Sequence, residues 1–207
     1  MIKDATSSID AFLSDVAAKR PTPGGGAVAA LCGATAAAIG EMVLNYSVGR
    51  KATPQHDEHL RPLLAELTRA RTVMLALMIE DQEAFGAYAS AKKLPDEDPK
   101  KIEKLEAATQ TCIAVPMQIA AAAVAMLSIA DAAVDRSNRW LLSDLAVCVE
   151  LSMATLRSAL HSVRVNLPNV SDEQRRKVEF DVDLQFNRGL DLVKRSMPKI
   201  QVMITQP

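Results

Sequence analysis

The sequence predicts an all-α protein: a multihelical bundle built around one buried helix of small residues. Three observations carry that expectation. Apolar residues make up 49% of the chain but aromatics only 3%, so Ala, Leu and Met must fill the core, which suits closely packed helices. Apolar positions recur at helical spacing, and the alternating β-branched and aromatic pattern of half-buried strands is missing. The run from Ala27 to Gly40 is small and apolar on nearly every side, as expected of a helix enclosed by its neighbours. A chain of 207 residues is long enough for a substantial core. No repeat, low-complexity tract or linker divides it, so residues 1–207 are expected to form a single domain.

Taken in order, Thr6 or Ser7 can cap a first helix in which Ile9, Phe12, Leu13 and Val16 share a face, until Arg20-Pro21 ends it. Pro21-Thr22-Pro23 stiffens the chain, and Gly24-Gly25-Gly26 then removes every Cβ, allowing close approach of a ligand or another backbone. The central helix is expected from about Ala27 to Tyr46, buried all round and closed at Gly49. A long helix should follow from about Gln55 to Ala91, with Pro62 near its first turns. Leu94 to Pro99 reads as a polar loop. Beyond it, a helix from Lys100 to about Ala114 should kink or break at Pro116, and an alanine-rich helix should extend to about Val134. The next helix includes Ser143-Asp144 and reaches about Val165. Ser171-x-x-Gln174 is a capping box that opens a last, highly charged surface helix.

Composition excludes several classes of partner. A formal charge of −1 gives no general attraction to nucleic acid or to a membrane surface. The most apolar run, Ile113 to Ala133, is interrupted by Pro116, Gln118 and Asp131. No stretch therefore reads as transmembrane, and no apolar signal segment precedes Asp10. The dispersed Cys32, Cys112 and Cys148 read as reduced core residues of a cytoplasmic protein. His56-x-x-His59 has helical ligand spacing but lacks the glutamate and third ligand of a metalloprotease helix, so no metal is expected. His161 reads as a structural histidine. No G-x-S-x-G turn, Walker loop or dinucleotide fingerprint occurs.

What remains is a glycine turn, a basic turn and two embedded aspartates. Gly24, Gly25 and Gly26 open a helix whose first N–H groups are unpaired, suited to an anion or a polar heterocycle, although such a turn can equally be a tight connection that binds nothing. Arg50 and Lys51, beside a helix C-terminus, either complement its dipole or clamp an acidic ligand. At about 100° per residue, Asp81 falls centrally on the stripe of Ala70, Met74, Leu77, Met78, Ala84, Phe85 and Tyr88, whereas Glu80 and Glu83 fall away from it. An aspartate on such a stripe must be paired or face a cavity. Desolvated, it would hold its proton more tightly, as an acid or base working near neutrality requires. Its alternative is a structural pairing with Arg or a backbone N–H. Asp144 has Trp140, Leu141, Val147 and Cys148 one turn away and is either a first-turn acid or a site residue.

These residues, in this order, resemble the cyclodeaminase/cyclohydrolase family, which includes the cyclodeaminase domain of formiminotransferase-cyclodeaminase and stand-alone methenyltetrahydrofolate cyclohydrolases. The anchors are Pro21-Thr-Pro-Gly-Gly-Gly, Gly49-Arg50-Lys51, Asp81-x-x-Ala84-Phe85, Leu94-Pro95, Val115-Pro116, Asn138, Ser143-Asp144 and Val165-Asn166-Leu167. The resemblance implies a cyclodeaminase-like helical subunit that forms a homodimer, with a folate site bordered by the glycine turn and a tetrahydrofolate derivative as substrate.

In the family, the aspartate matching Asp81 is the proposed catalytic residue. It would deprotonate the water that converts 5,10-methenyltetrahydrofolate to 10-formyltetrahydrofolate, or assist cyclisation of 5-formiminotetrahydrofolate with release of ammonia. Arg50 and Lys51 would hold the carboxylates of the glutamate tail. Gly24, Gly25 and Gly26 would admit the ligand closely, and Asp144 would pair with pterin nitrogens. The sequence carries no formiminotransferase segment, so hydrolysis is the expected activity. Ala52, Thr53 and Ser162 stand where the family often has a basic or polar residue, an aromatic and an asparagine. They favour an alternative in which the same dimeric scaffold binds a folate or another heteroaromatic acid without turnover. A purely structural adaptor would leave Asp81 unexplained.

Overall fold

The computed structural model describes residues 8–205. Among them the regular structure is helical throughout: α1 (Ile9–Ala17), α2 (Gly25–Asn45), α3 (Asp57–Lys92), α4 (Lys101–Ala133), α5 (Leu142–Arg164) and α6 (Asp172–Thr205), joined by turns and short 3-10 segments. Helices α2 to α5 form a ring in which α2 packs between α3 and α5, and α4 closes the opposite side against the same two helices. α6 lies outside, across α4 and α5.

Local chemistry accounts for most boundaries. Ser8 caps α1, its hydroxyl accepting from the Ala11 N–H at 3.1 Å; Thr6 and Ser7 lie outside the described residues. α1 ends at Ala17, ahead of the Pro21-Thr22-Pro23 segment. Gly24 is the N-cap of α2, so Gly25 and Gly26 already belong to its first turn. Beyond α2, Gly49 takes the left-handed φ of +75° that only glycine adopts without strain. Its N–H donates to the Asp57 carboxylate at 2.8 Å, tying the turn to the start of α3. At the start of α6 the Ser171 hydroxyl accepts from the Gln174 N–H at 3.3 Å. The Gln174 side chain does not complete a capping box but pairs across to Gln110 of α4.

Two expectations are corrected. First, α4 is continuous through Pro116. Proline withholds one N–H from the helix, and the carbonyl it strands, that of Cys112, accepts instead from Asn166 Nδ2 at 3.1 Å. Second, α2 is not buried all round. Val28, Thr35, Ala38 and Met42 leave an exposed stripe along it, with Val28 at 40% and Met42 at 36% exposure. With α3 and α5 on its flanks and α4 across the ring, the fourth side of α2 is uncovered. Two segments, α2 and Lys101–Arg136, are long and apolar enough to cross a membrane by length and composition alone. A core helix must be equally apolar, and the bundle buries 56% and 61% of these two windows.

The register of the ring is set by Gly26, Gly33 and Gly40, which recur every seven residues and so share one face of α2. A Cβ on Gly33 would lie 2.8 Å from Met74 and 3.1 Å from Thr155. One on Gly40 would lie 3.0 Å from both Leu67 and Cys148. Both flanking helices therefore run antiparallel to α2, descending in sequence as α2 ascends. Gly189 does the same for α6, where a Cβ would lie 2.2 Å from Leu156. At the exposed Gly86, by contrast, a Cβ meets nothing within 4 Å. Gly86→Ala is expected to raise stability by about 0.5–1 kcal/mol through helix propensity. Gly189→Ala should lower it by about 1–3 kcal/mol through overpacking. Urea denaturation of the two variants checks the opposite signs.

Candidate active site

The N-terminal end of α2 opens on a cavity of about 380 Å³ lined by Pro21, Thr22, Gly24, Gly25, Gly26, Asp81, Ala84, Phe85, Tyr88, Cys112, Pro116, Ser162, Val165, Asn166 and Asn169. Its volume is within the range of small-molecule sites. The first turn of α2, the last third of α3, the proline turn of α4 and the end of α5 thus converge on one space.

Asp81 sits at the top of the glycine seam. The α3 residues facing Gly40, Gly33 and Gly26 are Leu67, Met74 and Asp81 in turn, again seven residues apart. A Cβ on Gly26 would lie 2.0 Å from Asp81 Oδ1, so the missing side chain is what lets the carboxylate rest against the first turn of α2. The anion at this helix N-terminus is therefore the protein's own. The Ala27 N–H favours the ionised form. Burial acts more strongly in the other direction, and the Asp81 carboxyl is held above the usual aspartate range. No Lys or Arg among the described residues forms an ion pair with it. The structural pairing with Arg that would have explained an aspartate on this stripe is not there.

Around the carboxylate the wall is mostly apolar. Phe85 and Tyr88 lie with ring centroids 6.4 Å apart, and Lys92 approaches the Tyr88 ring at 6.0 Å. Cys112 also lines the cavity, but burial, and secondarily the charge of Asp81, push its thiol up, which makes it a poor nucleophile. Cys148 is more deeply buried, its thiol pushed up to about 11. Among the described residues no three His, Cys, Asp or Glu side chains converge as a metal site would require. His56 is tied to the Arg136 carbonyl at 3.2 Å.

Gly24, Gly25, Gly26 and Asp81 are thus brought together, and Arg50, Lys51 and Asp144 are not. Arg50 and Lys51 follow the C-terminus of α2, about 30 Å from Gly25 at 1.5 Å per residue. Asp144 lies in the first turn of α5, about 27 Å along that helix from Ser162. At the same end of the bundle Trp140 is 86% exposed, and the Asn138 N–H donates to Ser47 Oγ at 2.7 Å. Reasoning from sequence missed the cavity role of Cys112, Asn166 and Asn169. Pairing Pro116 with a side-chain donor to the carbonyl four residues earlier was the available signal, but nothing local says that Asn166 supplies it.

Fold and cavity together define an all-helical protein with a site of small-molecule size. The profile of the formiminotransferase-cyclodeaminase family matches residues 8–179, and the chain belongs to that family. It is 31% identical over 169 residues to a methenyltetrahydrofolate cyclohydrolase of Methylorubrum extorquens, covering 80% of this chain and 81% of that protein. It is 31% identical over 173 residues to a formimidoyltransferase-cyclodeaminase of Gallus gallus, but spans only 32% of that longer protein. The crystal structure of a formiminotetrahydrofolate cyclodeaminase from Thermotoga maritima superimposes with a TM-score of 0.89 at 26% identity, over 96% of this chain and 98% of that one.

The raised proton affinity of Asp81 has a consequence for stability. Because the folded chain holds this proton more tightly than the unfolded chain, the group favours folding most at acid pH. That contribution is lost as pH rises through the folded-state value. Asp81→Asn should therefore be more stable than the parent near neutral pH, by about 1 kcal/mol or less. The difference should vanish below the carboxylate range. Melting temperatures of both proteins across pH check this.

Proposed function

We propose that the protein is a folate-dependent cyclohydrolase that converts 5,10-methenyltetrahydrofolate to 10-formyltetrahydrofolate with Asp81 as its general base. One observation carries the reading: a part-buried carboxylate faces a cavity, with no cationic side chain among the described residues paired to it. The methenyl substrate is itself a cation, an amidinium ring, and would supply the missing counter-charge. Similarity along most of both chains to the Methylorubrum cyclohydrolase supports hydrolysis.

The step balances without a further reactant. Water oxygen bonds to the bridging carbon while one of its protons passes to Asp81. The neutral adduct then collapses: the bond from carbon to N5 breaks, N5 takes a proton, and the oxygen becomes the formyl carbonyl on N10, with one proton released overall. Burial of Asp81 raises its basicity, which favours accepting the first proton near neutrality. Phe85 and Tyr88 offer an apolar wall for a flat ring, and Gly24, Gly25 and Gly26 leave room for it against the α2 backbone. The resemblance to the Thermotoga enzyme favours a second use of the same site, cyclisation of 5-formiminotetrahydrofolate with loss of ammonia. There a protonated Asp81 would assist the departing amine.

The reading treats residues 1–207 as one domain in the cytoplasm, where its three free cysteines would stay reduced, and takes the active unit to be a homodimer. The exposed α2 stripe is nearly symmetric about Thr35, with Val28 and Met42 seven residues to either side. Two copies crossing there in antiparallel fashion would cover it. Such a pairing would also bring the partner's end of α2 toward the cavity, and with it Arg50 and Lys51 for the acidic tail of the substrate and Asp144 for the ring.

Two experiments test the proposal. The protein should accelerate the loss of methenyltetrahydrofolate absorbance, and Asp81→Asn should reduce that rate by about 10²–10⁴-fold. An unimpaired variant would remove Asp81 from the chemistry, and binding without acceleration by the parent would leave a non-catalytic folate binder. Mixing inactive Asp81→Asn with an inactive Arg50→Ala/Lys51→Ala variant should restore about a quarter of parental activity through mixed dimers that hold one intact site. No restoration would put Arg50 and Lys51 outside the site.

A further inference from the structure

Asn166 is a cavity residue whose side chain hydrogen-bonds to two different helices. Its Nδ2 donates to the Cys112 carbonyl of α4 at 3.1 Å and to the Ser162 carbonyl of α5 at 2.9 Å. Each acceptor is a carbonyl that its own helix leaves open. Cys112 is four residues before Pro116, which has no N–H to offer it. Ser162 lies in the last turn of α5, where carbonyls run out of helical partners. An amide nitrogen has two hydrogens, and both are used. Because both partners are carbonyl oxygens, the amide cannot be turned over without setting its own oxygen against them. What Asn166 has left is Oδ1, an acceptor that receives no hydrogen bond from the described residues, on a side chain that lines the same cavity as Asp81 and Gly26.

We infer that Asn166 is a specificity residue: its carbonyl oxygen, locked by the gap that Pro116 leaves in α4, accepts a hydrogen bond from an N–H edge of the bound heterocycle. Within the folate reading, on which this rests, that edge belongs to the pterin ring and not to the aminobenzoyl-glutamate tail. Pro116 is then a positioning residue. Its place in the middle of a helix disfavours the helix, and the gain is a fixed acceptor in the cavity. A freely rotating asparagine would present donor or acceptor indifferently; this one presents only the acceptor. A ring carrying a carbonyl or an unprotonated nitrogen at that position is disfavoured.

Titration calorimetry with tetrahydrofolate, and separately with p-aminobenzoylglutamate, which lacks the ring, tests the assignment. The parent should bind tetrahydrofolate; if it does not, the folate reading fails before Asn166 is in question. Given that binding, Asn166→Ala should weaken tetrahydrofolate about three- to tenfold, the worth of one neutral hydrogen bond, and leave p-aminobenzoylglutamate unchanged. Equal weakening of both ligands, or of neither, would overturn the inference. Pro116→Ala supplies the independent check. It returns an N–H to the Cys112 carbonyl, so it should raise the melting temperature while weakening tetrahydrofolate binding to a similar degree. A Pro116 variant that gains stability and keeps full affinity would sink the positioning role.

Discussion

Along the face of α2 that carries Gly26, Gly33 and Gly40, the neighbouring helices come so close that a methyl group at any of the three would lie within 3.0 Å of a side chain. That approach is the constraint on which the rest of the structure depends. Removing side chains from one helix lets Met74, Leu67, Thr155 and Cys148 pack directly over its backbone, replacing side-chain interdigitation with helix-to-helix contact. Glycine is a poor helix former, so α2 is held by its surroundings. Repetition at seven residues keeps the close approach on one face and fixes the sliding register of α3 and α5 together. Registers set by bulky apolar contacts alone tolerate repacking; this one does not.

The Asp81 carboxylate occupies the last position of that register. Where the seam would place another apolar side chain over α2, α3 presents Asp81. Two physical effects oppose each other there. The N-terminal N–H groups of α2 favour a negative charge, while loss of water disfavours it, and burial prevails. A carboxylate left in this state, with no cation among the described residues beside it, lowers the stability of the free protein and would attract a cationic ligand. The apolar surroundings that make it costly also strengthen its attraction for an amidinium ring.

Backbone groups left open by the helices recur as the means of building this cavity. The first turn of α2 offers unpaired N–H groups beside Asp81, Pro116 opens a carbonyl in α4, and the end of α5 opens another. Asn166 takes both carbonyls. The polar surface of the site is therefore largely made of helix ends and one helix interruption, which orients it rigidly because the helices themselves are rigid. The opposite end of the bundle carries the basic turn and the exposed Trp140. The length of α2 keeps these two ends apart in one chain, and antiparallel pairing of two chains would bring them together.

Much of the fold was legible in residue order. Apolar spacing located the helices, the proline and glycine segments located the turns between α1, α2 and α3, and angular arithmetic placed Asp81 on the inward face of α3. These features follow from local propensity and helical period, which depend only on sequence separation. The seven-residue spacing of Gly26, Gly33 and Gly40 is present in the residue order, but only the packing makes it a seam. The continuity of α4 was not legible, because a proline breaks a helix or not according to whether a distant group takes the stranded carbonyl, and Asn166 is 54 residues from Cys112. Nor was the exposed side of α2, since an alanine-rich helix reads as buried whichever neighbours it has. Whether Arg50, Lys51 and Asp144 stand beside Asp81 was likewise beyond the sequence. Order along the chain says which residues are shared by a site only once packing has decided which helix ends meet.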